Sequence, residues 1–301
     1  MNLQQTLKKE ISYTGIAIHT GQRSQLHLRP AGSNEGITFI RSNLANKPKL
    51  KLGKGIKIET KRGTNISNDI FEIKTVEHLL AAIHGLGIDN ITIEVSGPEI
   101  PIGDGSSKTF VDLICEAGII TLNTPRNYLL IKEYIKVSDG TASIMAEPDN
   151  CLNIEFLLKF EQSFIGEQKA NFTEINSNFS VDIAPARTFG FYHEVQSLRN
   201  SGLALGGSLD NAIIIGEEGY STNLRFPNEL ARHKILDLMG DLMILGRPLK
   251  AKIKCHQSGH KLNVELVKKI WEDLSSLPAA SHVPNGTMAS RRNEVKGENN
   301  A

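Results

Sequence analysis

Residues 232–241 read Arg-His-Lys-Ile-Leu-Asp-Leu-Met-Gly-Asp, which sets His233, Asp237 and Asp241 at spacings of four. On an α-helix, residues four apart stand one turn above each other on one face. His233 and Asp237 can therefore hold one metal ion, with Asp241 just beyond. Leu230, Ile235, Leu236, Leu238, Met239, Leu242, Met243 and Leu245 flank this polar stripe, so partial burial is expected. Buried carboxylates are costly unless paired or metal-bound. The alternative is an exposed helix face with a His–Asp pair.

A chain of 301 residues suggests two domains, and 40% hydrophobic with 22% charged residues suffices for ordinary cores. The formal net charge of +1 gives no electrostatic case for nucleic acid or an acidic membrane surface. Cys115, Cys151 and Cys255 are odd in number and form no Cys-x-x-Cys pair. That fits a reducing compartment and argues against disulfides or a thiolate zinc site. The start lacks the apolar segment of a signal peptide, and no apolar run is long enough for a transmembrane helix.

Alternation predicts strands at 24–29, 36–40, 50–58 and 90–95. Thr75–His84 reads as a helix capped by Thr75 and stopped by Gly85, and 107–117 as a second helix ending near Gly118. The second half repeats the order. Strands are expected at 128–137, 141–147, 152–160 and 249–255, with helices at 228–245 and 262–274. Each half thus carries a ligand-bearing helix, a glycine-containing turn and a strand, which suggests two similar α+β halves. The boundary is expected near 122–127, giving domains 1–124 and 125–275. Residues 276–301 read as a disordered tail.

A helical His-x-x-x-Asp pair supplies two ligands, whereas a catalytic zinc site usually has three plus water. His78 is the best third candidate among nine histidines, because its own helix puts Glu77 directly before it. An acid beside a metal-bound water can serve as general base. Taken alone, Glu77-His78 is a dipeptide that chance often produces. The glycine-rich stretch 202–207 lacks the order and the lysine of a phosphate-binding loop.

Several motifs occur in one order: Gly15-Ile16-Ala17-Ile18-His19-Thr20-Gly21; Thr75-Val76-Glu77-His78-Leu79-Leu80-Ala81-Ala82; Gly87-Ile88-Asp89-Asn90; Pro98-Glu99-Ile100-Pro101; and Asp104-Gly105-Ser106. Ala186-Arg187-Thr188-Phe189-Gly190-Phe191, Arg232-His233-Lys234 with Asp237 and Gly240-Asp241, and Ser258-Gly259-His260 follow. From about residue 6 to about residue 275, the chain resembles the UDP-3-O-acyl-N-acetylglucosamine deacetylases of lipid A biosynthesis.

The resemblance implies two two-layer α/β sandwich domains, each with a small insert, around an active site between them. It implies zinc (Zn2+, with Fe2+ as an alternative) on His78, His233 and Asp237, and Glu77 as the base. Thr188 would help hold the oxyanion. His260 would stabilise it or protonate the leaving amine, oriented by Asp241. Substrate contacts fall on His19, Lys234, Phe189, Phe191, Leu203, Gly207 and Ser208, with an acyl-chain insert near 192–215. The implied partner is an acylated UDP-sugar, and the implied setting is the cytoplasm of a bacterium with a Gram-negative-type envelope, as a monomer. Gly103 departs from the bulkier residue the resemblance implies. A different class, a non-catalytic sugar-nucleotide binder with structural zinc, would need neither Glu77 nor His260, and structural zinc usually takes four protein ligands.

Overall fold

The computed structural model describes residues 2–275 apart from 163 and 176, so the expected tail at 276–301 lies outside the described residues. Two sheets share one strand order. In the first, Ile11–Ile16, Arg23–Pro30, Ile91–Val95, Ile37–Arg41 and Lys49–Lys51 lie side by side. In the second, Ile135–Asp139, Ala142–Glu147, Leu249–His256, Leu152–Lys159 and Glu167–Thr173 do so, and Leu129–Leu130 adds a short pairing to Leu249–His256. In each sheet the strand that comes last in sequence sits in the middle. It runs antiparallel to one neighbour and parallel to the other. The two halves suggested by the sequence are thus alike in topology.

Six helices occur among the described residues: α1 (Glu77–Gly85), α2 (Lys108–Ala117), α3 (Phe179–Asp182), α4 (Tyr192–Asn200), α5 (Glu229–Met243) and α6 (His260–Ser275). None is long and apolar enough to cross a membrane. α1 and α5 each precede the central strand of their sheet and pack on each other, with α2 against α1 and α6 against α5. Leu79, Leu80, Ala81, Ala82 and Ile83 make α1 apolar all round, the pattern of a helix enclosed on every side. α5 buries every residue except Arg232 and Lys234. Gly240 permits their close approach: a Cβ there would overlap the backbone carbonyl of Glu77.

Several expectations need correction. Thr75 does not cap α1. It takes φ +56° and its hydroxyl donates to Glu99 Oε1, while Val76 occupies the cap position. The strand expected at 50–58 is two: Lys49–Lys51 joins the first sheet, and Lys57–Glu59 starts a separate three-stranded sheet. Gly53 at φ +135° and Gly55 at φ +102° divide them, in backbone regions that favour glycine. The strand expected at 128–137 splits likewise into Leu129–Leu130 and Ile135–Asp139. The stretch expected as a linker ends a strand, Ile119–Pro125, that pairs with Leu3–Leu7. Gly103 takes φ +61° with the Thr109 side chain against it, so a glycine suits that turn.

Candidate active site

His78 comes from α1, and His233 and Asp237 from successive turns of α5. One ligand atom of each lies within 4.8 Å of the others, and all three residues are buried. His233 Nε2 stands 3.3 Å and His78 Nε2 3.7 Å from Asp237 Oδ1. Ligands roughly 2.0–2.1 Å from a tetrahedral ion would stand about 3.3 Å apart. Asp237 Oδ1 is buried without a hydrogen-bond partner. An orphaned carboxylate oxygen is costly in a dry site, and a cation among these atoms removes the cost. The donor set therefore fits a divalent metal.

Neighbouring groups fix the protonation states of His233 and Asp237. His233 Nδ1 lies 3.1 Å from the Ala186 carbonyl, which can only accept, so Nδ1 carries the proton and Nε2 keeps its lone pair. Burial pushes the His233 pKa down to about 3, which keeps the ring neutral, as a ligand must be. Burial alone would raise Asp237. His233, Lys234 and His260 outweigh it and hold the carboxyl well below its ordinary value. Lys234 Nζ donates to Asp237 Oδ2 at 2.8 Å and lies over the Phe189 ring.

Two further groups border the triad. Glu77, the first residue of α1, is 3% exposed. Burial raises its pKa, against the opposing pull of His260 and His78. The backbone N–H of Thr64 donates to Glu77 Oε2 at 3.0 Å. His260 opens α6, with Nε2 4.0 Å from Glu77 Oε1 and 3.7 Å from Asp237 Oδ2. Its Nδ1 donates to Asp241 Oδ2 at 2.9 Å. Burial works against the imidazolium, but Asp241, Asp237 and Glu77 prevail and lift the His260 pKa to about 10. Asp241 also accepts from Asn263 Nδ2 and from the Thr64 hydroxyl.

The motifs have structural causes. Glu99, fully buried, accepts the backbone N–H groups of His19 and Thr20 and the Thr75 hydroxyl, joining the early turn to the start of α1. Arg187 donates three hydrogen bonds to buried Glu229 at the head of α5. That lock sets Ala186 against His233 and Thr188 beside the site.

The triad lines a cavity of about 740 Å³ together with Glu77, His260, Thr188, Lys234, His19, Phe189, Gly207 and Ser208. Ile18, Ile102, Val195, Leu198, Leu209 and Ile214 form its apolar wall. α4 buries none of its own residues, so Val195 and Leu198 face the cavity without a core to serve. Phe191 and Leu203 do not line it; Phe191 packs against Phe160 instead. The sequence reading missed Thr64 and Asn263, and it placed Glu99 in a motif without assigning it a role. No spacing rule points to Thr64, which lies far along the chain from Asp241.

The model of the LpxC family, described as UDP-3-O-acyl N-acetylglycosamine deacetylase, matches residues 4–272. A relative from Helicobacter pylori, named UDP-3-O-acyl-N-acetylglucosamine deacetylase, is 42% identical over 272 residues, covering 90% of this chain and 92% of the relative. Proteins of the same name from Syntrophotalea carbinolica and Myxococcus xanthus are 39% and 38% identical, covering 94% and 98% of this chain and 94% and 92% of theirs. With a family model matching almost end to end and relatives similar over their whole length, the chain belongs to the LpxC deacetylase family.

Proposed function

We propose that the chain hydrolyses the N-acetyl amide of UDP-3-O-acyl-N-acetylglucosamine to acetate and the free amine, the committed step of lipid A biosynthesis, with zinc on His78, His233 and Asp237. The observation that carries this reading is a buried base, Glu77, and a cationic His260 within 4.0 Å of each other, both bordering one His-His-Asp triad at an apolar cavity. When bound, the metal polarises the carbonyl and lowers the pKa of a coordinated water to roughly 7. The N/O donor set also suits Fe2+.

Glu77 takes the proton of the attacking water, and its raised pKa suits it to hold that proton. As the water oxygen bonds to the acetyl carbon, the Thr188 hydroxyl and the His260 cation face the developing oxyanion, each such donor being worth about 3–4 kcal/mol. The C–N bond then breaks, and the amine nitrogen receives a proton from His260. Asp241 keeps the ring aimed through Nδ1. His19, Lys234, Gly207 and Ser208 contact the sugar and phosphate portions, with Phe189 at the ring. The apolar wall from α4 and Ile214 takes the acyl chain, each buried CH₂ contributing about 0.8 kcal/mol. On this reading residues 1–124 and 125–275 each supply one side of the site, and the chain acts as a cytoplasmic monomer.

The test is acetate release from the acylated UDP-N-acetylglucosamine before and after chelation, with zinc or iron restored. Activity that survives complete metal removal would refute the reading.

A further inference from the structure

We infer that Thr64 is a positioning residue that couples Glu77 to His260, an inference that rests on the deacetylase reading above. Thr64 is fully buried, and each of its polar atoms is engaged. Its N–H donates to Glu77 Oε2 at 3.0 Å. Its carbonyl accepts the N–H of Val76, at the entry to α1. Its hydroxyl donates to Asp241 Oδ1 at 2.6 Å. With that proton committed, the hydroxyl oxygen accepts at 3.1 Å from His260 Nδ1, whose N–H is shared with Asp241 Oδ2. Gly63 presses this segment onto the base: it takes φ +146°, and a Cβ there would meet Glu77 Oε1 at 2.9 Å.

The two arms act on different groups. The main-chain arm holds one Glu77 oxygen and leaves Oε1 facing His260 Nε2. The side-chain arm occupies one Asp241 oxygen, so that Oδ2 is left to His260 and Asn263. Removing only the hydroxyl frees the Asp241 carboxylate to turn and loosens the aim of His260 Nε2, while Glu77 keeps its N–H. The loss belongs to the chemical step, because no atom of Thr64 lines the substrate cavity.

The experiment is a double-mutant cycle on the zinc-loaded full chain, with Thr64→Val, Thr64→Ser, His260→Ala and the Thr64→Val/His260→Ala pair, read as kcat, KM and zinc content. Thr64→Val is expected to lower kcat roughly 10- to 100-fold, since misplacing a catalytic group by about 1 Å can cost that much. KM and zinc content should hold within about twofold, and Thr64→Ser should recover most of the rate. In the His260→Ala background, Thr64→Val should change kcat by less than about twofold. An equal loss in both backgrounds, or a serine variant no better than valine, overturns the inference while leaving the deacetylase reading intact. Full kcat in His260→Ala overturns the inference together with the role given to His260, whereas absence of acetate release from the zinc-loaded parent chain overturns the deacetylase reading itself. If the valine variant does not fold, Thr64→Ala, which leaves room for a water, carries the same cycle.

Discussion

The backbone of Gly240 in α5 lies directly against the carbonyl of Glu77 at the start of α1. Alanine is the better helix former by about 1 kcal/mol, yet here its Cβ has no space. Overpacking of this kind costs about 1–3 kcal/mol, and the neighbour is backbone, which cannot swing aside. Gly240→Ala should lower the unfolding temperature and reduce metal content together, read by calorimetry and metal analysis. A variant with unchanged values would show that the helices separate freely.

Ligand and base substitutions should separate two properties. His78→Ala and Asp237→Ala each remove one of three donors and should lose metal. Glu77→Ala removes no donor; it should keep metal and lose roughly 10²- to 10⁴-fold in kcat, the range for a general base. Metal content measured beside turnover checks this, and full occupancy in both ligand variants would contradict the triad.

The kcat/KM profile should be bell-shaped. Its acidic limb follows Glu77, displaced upward by burial, since activity is lost as pH falls through the pKa of the base. Its basic limb follows His260, which the surrounding carboxylates raise to about 10, since activity is lost as the imidazolium deprotonates. Asp241 is the strongest of the groups raising it. Asp241→Asn should therefore shift the basic limb to lower pH, and an unmoved limb would contradict the pairing.

His84 gives a stability prediction away from the metal ligands. Its Nδ1 donates to the Met239 carbonyl at 2.8 Å, and burial lowers its pKa below the ordinary 6.5 despite that bond. The unfolded chain binds this proton more readily, so stability is complete above pH 6.5 and declines as pH falls below it. The slope from one such group is at most about 1.4 kcal/mol per pH unit. Urea unfolding of His84→Leu should lose less stability between pH 8 and pH 5 than the parent chain does.

Leu198 faces the cavity from a helix that buries none of its residues. Leu198→Glu should raise KM strongly for the long-acyl substrate and leave metal content unchanged. A short-acyl analogue has little chain to bury and should lose much less. Equal losses on both substrates would show that α4 does not recognise the chain.

Much of the site was legible because helical periodicity carries it. His233, Asp237 and Asp241 repeat every four residues within α5, and apolar flanks announced its burial. The geometry brings His78 to them through a helix contact that no local spacing encodes, and only the ordered motifs pointed there. Strands were harder. Glu167–Thr173 buries Gln168, Ala170 and Phe172, an alternation too weakly apolar to stand out, and Leu3–Leu7 buries polar Gln4 and Thr6. Thr75 was misread because Glu99, distant in sequence, claims its hydroxyl. Thr64 was invisible for the same reason: its partners come from α1, α5 and α6.

Of the three donors, α1 supplies one and α5 two, so neither helix can retain an ion alone. An ion held there is a strut between the two sheets as well as a reagent. If only a fraction of molecules has the helices docked, the apparent dissociation constant rises by the inverse of that fraction. In return, metal at roughly a thousand times its dissociation constant adds about 4 kcal/mol to the unfolding free energy. A chelator would then lower the stability of the fold as well as turnover, by removing a brace.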